Sequence, residues 1–471
     1  MMSAHRRPMG QATAGRWLTR DRALGYAAIL ALIELAVLVF FVAGAHGLIV
    51  PLDELPGTDF LSFHAAGSLV AQGTPWLAYD RVAHAAMERI TFGGTTPYNY
   101  FFYPPVFLLI CAPLARLPYL AAFYVFQAAS AAALYFATRL IRRDVHPAIL
   151  LAFPGLYWAV GTGQNALLTA ALFAAGTALT DRRPWLAGLC FGALCYKPHF
   201  GLLIPVALLA GRHWRALAGA GLTVLSLGAI SNAWFGVRTW QAFLTAVQGS
   251  ADVYTGGAIF MGGLTSPYGV LLVAGATPET AIAVQAATVL AAAAIVAWVW
   301  WPKGGQSAQL PVRAAILLTA TPIAVPLMMF YDLMLVFMAL VWMTLVTEPQ
   351  TSQPQTSQTG TSQTGTSQTG TSQTQTSQTQ TSQPEHQRAS TCWRPPAWQT
   401  AIMSFIFVTP MFSGNLSPGR ELMAAAIAAA VAFGLAVAIA WRVIGPSIVL
   451  FGPPRFRFRA QARSEASGQP G

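Results

Sequence analysis

The sequence predicts an all-α polytopic membrane protein. Of its 471 residues, 55% are hydrophobic and only 9% are charged, whereas soluble proteins carry about 25% charged residues. The apolar residues recur in runs longer than about 15, which is close to the length that membrane helices need. The formal net charge is +11, but the basic residues stand at the ends of apolar runs, where they encode topology. Nucleic-acid binding is therefore not expected.

The basic residues also set the direction of each predicted span. A cluster of arginines in residues 1–23 precedes the first span, about 24–50, so this N-terminus should be cytoplasmic. The polar stretch 51–100 then lies outside. The run 103–118 is short and contains a proline pair, which predicts an interfacial or re-entrant helix. The second span follows at about 118–141 and ends inside.

Two hairpins follow, at 145–180 and 184–211, each bounded by arginines at its inner end. The second could also be one long span, but basic residues at both of its ends favour the hairpin. Six more spans are predicted. One ends near residue 234, the next ends at 303, and the last four cover about 313–329, 330–346, 398–413 and 420–444. This topology has about twelve spans and both termini inside, with 21 of the 27 lysines and arginines inside and 6 outside.

The chain divides at a low-complexity segment. Residues 347–397 contain TSQTG and TSQTQ repeats, which have no apolar side chain to bury and predict a disordered cytoplasmic linker. The linker separates a transmembrane module, 24–346, from a C-terminal pair of transmembrane helices, 398–444. Residues 445–471 form a basic cytoplasmic tail.

Four polar clusters are not explained by topology and fall on the outer side. They are Asp59 with His64, Gln164 with Asn165, Lys197 with His199, and Tyr331 with Asp332. Ionisable groups at membrane depth cost roughly 2.5–3.5 kcal/mol and persist where they face a cavity or each other. Their convergence on one face predicts a single site.

Lys197 is expected below the outer surface. Each arm of its hairpin has about 14 residues and rises about 20 Å, less than the hydrocarbon thickness of about 30 Å. A buried lysine needs an anion. Asp332, Asp59 or a bound phosphate could each supply it.

Simpler interpretations stand beside these. Asp59 follows Gly-Thr and could be only a helix cap, and His64 could be a satisfied core histidine. The aromatic run 97–105, which contains Tyr103, is typical of an interfacial belt, although it could also stack on a sugar or a prenyl chain. The sequence shows no zinc-ligand spacing, no CxxC pair and no second carboxylate paired with Asp59, so no cofactor is expected and a metal is possible but unsupported.

Four stretches resemble glycosyltransferase family 87, in the same order and with similar spacing. They are GTDFLSFHAAGSLVAQGTPWLAYD (57–80), YPPVFLLICAPLARLPYLAAFYVFQ (103–127), GQNALLTAALFAAGTAL (163–179) and RRPWLAGLCFGALCYKPHFGLLIPVALLAGRHWRAL (182–217). Members are bacterial GT-C membrane enzymes similar to polyprenol-phosphate-mannose-dependent α-mannosyltransferases. The resemblance runs from about residue 50 to 345. It departs at 330–333, where Tyr331 and Asp332 stand near the place of a histidine pair.

The resemblance implies a GT-C-like helical bundle whose large first extracytoplasmic loop carries interfacial helices. The active site would face the extracytoplasmic side of a bacterial inner (plasma) membrane. A polyprenyl-phosphate sugar would be the donor, and an envelope lipid or glycan the acceptor. Asp59 would be the general base, and Lys197, in the KP motif, would bind the donor phosphate. Further candidates for substrate binding are His64, Tyr103, Gln164, Asn165, His199, Tyr331 and Asp332.

The chemistry favours this assignment. Glycoside hydrolysis needs an acid and a second carboxylate, but a phosphate leaves readily, and a cation can stabilise it instead of an acid. One carboxylate and one cation therefore suffice for an inverting transfer. A lipid-linked sugar flippase is the alternative function, and it would show polar residues on both membrane faces. A structural subunit of another transferase would not need Asp59.

Overall fold

The computed structural model describes residues 19–44, 59–93, 98–249, 263–347, 397–412 and 424–450. About 80% of these residues are helical. Extended pairing among them is limited to two isolated bridges, Leu264 with Met329 and Lys303 with Gln306. The predicted all-α class is therefore confirmed for this part of the chain. The TSQ repeats and most of both basic termini lie outside the described residues.

The α-helices follow one another with short connections. They are α1 (Arg20–Gly44), α2 (Asp59–Ala71), α3 (Arg81–Phe92), α4 (Leu108–Leu114), α5 (Tyr119–Ile141), α6 (Pro147–Leu151), α7 (Pro154–Gly161), α8 (Ala166–Leu179), α9 (Pro184–Ala193), α10 (Ile204–Ala210), α11 (Trp214–Phe235), α12 (Val237–Gln248), α13 (Pro267–Val273), α14 (Pro278–Trp300), α15 (Leu310–Ala324), α16 (Met334–Met343), α17 (Ala397–Val408) and α18 (Ala424–Leu450). Turns of 3-10 helix lie at Pro75–Tyr79, Pro105–Phe107, Leu194–Tyr196, Pro198–Gly201, Phe330–Leu333 and Thr409–Phe412.

Four helices in the described residues are long and apolar enough to cross a membrane: α5, α11, α14 and the Ala424–Ile444 part of α18. Other apolar helical segments are 10–17 residues long. The hairpin at 184–211 shows why, because its helix breaks at Lys197. There Pro198, which has no amide hydrogen, begins a 3-10 turn. The chain is thus a helical membrane protein, while the count of about twelve spans stays a prediction.

The predicted first outer loop contains α2 and α3, and the predicted interfacial helix at 103–118 corresponds to the 3-10 turn Pro105–Phe107 and the short α4. α2 packs closely on α4. A Cβ atom at Gly67 would lie 2.2 Å from the carbonyl oxygen of Cys111, so this contact requires a glycine.

α9 and α11 also approach through glycines. A Cβ on Gly188 would lie 2.4 Å from the Ala216 carbonyl oxygen, and one on Gly192 would lie 2.5 Å from that of Ala220. The four-residue spacing puts both glycines on one face of α9. Small residues at this spacing let membrane helices pack backbone to backbone.

The two ends of α8 lie at opposite ends of the helical bundle, and each adjoins a different polar cluster. This helix of 14 residues rises about 21 Å. Beyond its C-terminal end, the buried Arg313 donates to Asp181 Oδ2 at 2.5 Å and lies 3.0 Å from His213 Nε2. This cluster joins turns that the sequence places inside. The candidate site lies at the other end of α8.

α15 and α16 form the centre of the bundle. Both are buried along almost their whole length, as expected for helices that are apolar on every side. The 3-10 turn Phe330–Leu333 precedes α16 and brings Tyr331 and Asp332 to the site end.

Candidate active site

Asp59 is the first residue of α2, and the loop before α8 holds it in place. Its backbone N–H donates to the carbonyl of Thr162 at 2.8 Å. The next loop residue, Gly163, has a φ of +73°, and a Cβ there would lie 2.7 Å from the Cβ of Phe60. Glycine satisfies both demands. The loop therefore brings Gln164 directly beside Asp59.

The carboxamide of Gln164 joins three polar side chains. Its Nε2 donates to Asp59 Oδ2 at 2.5 Å and to the Tyr331 hydroxyl at 3.1 Å. Its Oε1 accepts from the Tyr103 hydroxyl at 3.3 Å. Since an ionised carboxylate only accepts hydrogen bonds, the contact with Asp59 fixes which end of the amide faces it.

Taken as a whole residue, Asp59 is partly exposed, whereas Gln164 is 4% exposed. The pKa of Asp59 is raised to about 7, mainly by burial and to a smaller extent by the nearby charge of Asp332. The hydrogen bond from Gln164 and the charge of Lys197 oppose this rise in pKa. Asp59 can therefore take up and release a proton near neutral pH, which a general base requires.

Lys197 and Asp332 form a buried ion pair. The Lys197 Nζ lies 3.1 Å from Asp332 Oδ1, and the two side chains are 5% and 4% exposed. The ammonium also lies 5.1 Å from the ring centroid of Phe200 and 5.7 Å from that of Tyr331. The anion that the sequence requires for Lys197 is thus Asp332 in this structure.

Tyr331 connects the two parts of the site. Its hydroxyl accepts from Gln164, which holds Asp59, while its ring lies over the Lys197 ammonium. Lys197 is also close enough to Asp59 to lower the pKa of the carboxyl. A carboxylate and a buried cation therefore share one site.

Two sequence candidates, His64 and His199, take other positions. His64 is buried, its Nε2 lies 3.1 Å from the Leu117 carbonyl oxygen, and its ring packs beside Tyr119, as expected for a core histidine. His199 is exposed and lies next to the Phe200 ring.

Asn165 adjoins the site and is fully buried. Its backbone N–H donates to Gln164 Oε1 at 3.3 Å. Its side chain lies within electrostatic reach of the Tyr103 hydroxyl. Roles of His64, Asn165 and His199 in substrate binding remain predictions.

The sequence reasoning missed a buried pair on α3. His84 Nδ1 lies 3.7 Å from Glu88 Oε1, and both side chains are almost completely buried. Glu88 Oε2 accepts from the Asn99 backbone N–H at 3.1 Å. Burial raises the pKa of Glu88 to about 8, and the charge of Asp59 contributes to this rise. A second carboxyl therefore lies near the site. The i, i+4 spacing of His84 and Glu88 was the available signal.

Metal binding finds no support in the part of the chain that the structure describes. No group of three or more His, Cys, Asp or Glu side chains there could hold an ion. The absence of a cofactor requirement stays a prediction.

Part of the chain is similar to a known protein family. The family model for glycosyltransferase family 87 matches residues 101–330. The apolar helices and this match indicate a membrane glycosyltransferase. The chain carries a glycosyltransferase family 87 domain, of the GT-C type. No curated protein and no solved structure matches the chain.

The matched range contains part of the site. Tyr103, Gln164 and Lys197 lie within it, Asp59 precedes it, and Asp332 follows it. The contacts of Gln164 and Lys197 bring the two outlying carboxylates to the family domain.

Proposed function

We propose that the protein transfers a sugar, mannose, from a polyprenyl-phosphate donor to an envelope lipid or glycan acceptor. Transfer proceeds with inversion, and Asp59 is the general base. One observation carries the proposal: Asp59, a partly exposed residue whose carboxyl is held by Gln164, lies in the same site as the buried ammonium of Lys197.

The reaction follows from these groups. Asp59 accepts the proton of the acceptor hydroxyl, whose oxygen forms a bond to the anomeric carbon. The bond from that carbon to the phosphate oxygen breaks, and polyprenyl phosphate leaves. Lys197 stabilises the charge that develops on the phosphate. Because phosphate is a good leaving group, no acid needs to protonate it.

The donor phosphate competes with Asp332, which pairs with Lys197 in this structure. A phosphodiester carries one negative charge, as the carboxylate does. The donor phosphate therefore shares Lys197 with Asp332 or replaces it as the partner. The buried pair keeps the lysine in place until the donor binds.

The distribution of charge supports the extracytoplasmic face of a bacterial inner membrane. The site lies at the opposite end of α8 from the Arg313–Asp181 cluster. The arginines that the positive-inside rule assigns to the cytoplasm adjoin that cluster. Besides the donor and acceptor, the only other partners proposed are membrane lipids.

The test uses purified protein, radiolabelled polyprenyl-phosphate-mannose and a cell-envelope lipid extract. We expect wild type to transfer label and Asp59→Asn to be about 10²- to 10⁴-fold slower, the usual contribution of a general base. Asp80→Asn is the matched control. Asp80 caps α3 in the same outer loop by accepting from the Ala83 N–H at 2.8 Å, and asparagine also caps helices.

Two outcomes would count against the proposal. If the Asp59→Asn protein is folded and has wild-type activity, Asp59 is not the general base. Binding of the lipid-linked sugar without any transfer by wild type favours the flippase instead.

A further inference from the structure

The side-chain amide of Gln164 makes all of its hydrogen bonds with other groups of the protein. Its two N–H donors face Asp59 and Tyr331, and its oxygen accepts from the Tyr103 hydroxyl and the Asn165 backbone N–H. A primary amide has two donors and two acceptor lone pairs. All four are therefore engaged. A side chain so occupied and only 4% exposed has nothing left to bind a substrate hydroxyl.

We infer that Gln164 is the positioning residue of Asp59, and not a substrate-binding residue. It holds Oδ2, so that Oδ1 is the oxygen turned toward the acceptor hydroxyl. This role rests on the proposed function, in which Asp59 is the base. Of these two side chains, Asp59 would touch the substrate, and Gln164 acts through it.

Gln164 is itself held on a rigid support. Its backbone N–H donates to the Ala159 carbonyl at 2.9 Å, and its carbonyl accepts from Gln127 Nε2 at 3.1 Å. Gly163 precedes it in a left-handed conformation that few other residues adopt. Groups that orient a reacting side chain need this kind of fixed support.

The same contact controls the charge of Asp59. The charged and titratable groups near it are Lys197, Asp332, Glu88, Tyr103 and Tyr331. The Gln164 hydrogen bond favours the ionised form and so lowers the pKa of Asp59. A hydrogen bond to a charged group corresponds to roughly one pH unit or more.

The experiment compares Gln164→Met with Gln285→Met. Gln285 is also a buried amide, 4% exposed, but it donates to the carbonyls of Ile323 and Ala324. Only the first change removes a contact with Asp59. The Asp59 carboxyl is titrated by infrared difference spectroscopy against Asp59→Asn, which needs no substrate. We expect its midpoint to rise by about one pH unit in Gln164→Met and to stay at the wild-type value in Gln285→Met.

Turnover of radiolabelled polyprenyl-phosphate-mannose with envelope lipid extract gives the second readout. Gln164→Met should lower kcat, with KM within about twofold of wild type, and should shift the acid limb of the pH profile upward. An unchanged Asp59 midpoint overturns the inference, as does a raised KM with normal kcat, which marks a substrate contact. If Asp59→Asn stays active, the proposed function fails, while the titration still decides whether Gln164 holds Asp59.

Discussion

Lys197 and Asp332 each compensate the charge of the other in a nearly dry environment. Removing one partner of such a pair typically costs 3–5 kcal/mol, whereas replacing both with apolar groups is often neutral or stabilising. We therefore expect Lys197→Met to be strongly destabilised and the double variant Lys197→Met/Asp332→Leu to regain most of the stability. Thermal unfolding in detergent measures both.

Measuring sugar transfer by the same variants separates a structural role of Lys197 from a catalytic one. The stable double variant should remain about 10²- to 10³-fold slower than wild type, as when one charge-stabilising donor is removed. A double variant with both normal stability and normal transfer would show that Lys197 only fills the core.

The residues differ in how far sequence alone could place them. Asp59 and Lys197 stood out because a charge within an apolar chain needs a reason. Gln164 and Asp332 stood out as well, and Asp332 was one of the anions considered for Lys197. Which side chains pair stayed open, because Gln164 follows Asp59 by 105 residues and Asp332 follows Lys197 by 135. No local pattern encodes such contacts. Only the packing of α2, α8 and the 3-10 turn before α16 makes them.

At the scale of elements, α3 carries a pH-dependent contribution to stability. Burial raises the pKa of Glu88 from 4.5 to about 8, so the folded protein holds this proton more tightly than the unfolded chain does. Its contribution is complete below pH 4.5 and is lost as the pH rises through 8. His84 acts in the opposite sense, because burial lowers its pKa to about 4 and stability falls as the pH drops from 6.5 through 4.

Glu88→Gln isolates the first of these effects. Glutamine keeps an acceptor for the Asn99 N–H but cannot ionise. We expect similar unfolding temperatures for variant and wild type at pH 5 and a more stable variant at pH 9, with a difference that grows by up to about 1.4 kcal/mol per pH unit. A difference that does not change with pH would show that Glu88 does not titrate in the folded protein.

Element boundaries show where the sequence pattern fails. Apolar runs predicted spans at 145–180 and 184–211, and helices do form there. Proline and a left-handed glycine divide them into short pieces, at Pro154, Gly163 and Pro198. Hydropathy averages over such breaks. It therefore predicts that a segment is in the membrane more reliably than how many times the segment crosses it.

The whole molecule has two chemically different ends. One joins Arg313, Asp181 and His213, and the other carries Asp59 and the Lys197–Asp332 pair. This polarity agrees with the charge count along the sequence. The orientation in a membrane and the position of the TSQ linker remain predictions, since both depend on the number of crossings.

A pair of reporter insertions tests the orientation and the count together. An odd number of crossings must separate the first outer loop from the linker if the topology is right. Alkaline phosphatase, which is active only outside the cytoplasm, should be active when inserted after Gly93 and inactive after Gly365. Green fluorescent protein should give the reverse pattern, and retained sugar transfer would show that each fusion folds. Phosphatase activity after Gly365 would mean an even number of crossings between the two sites and would place the linker on the same side as Asp59.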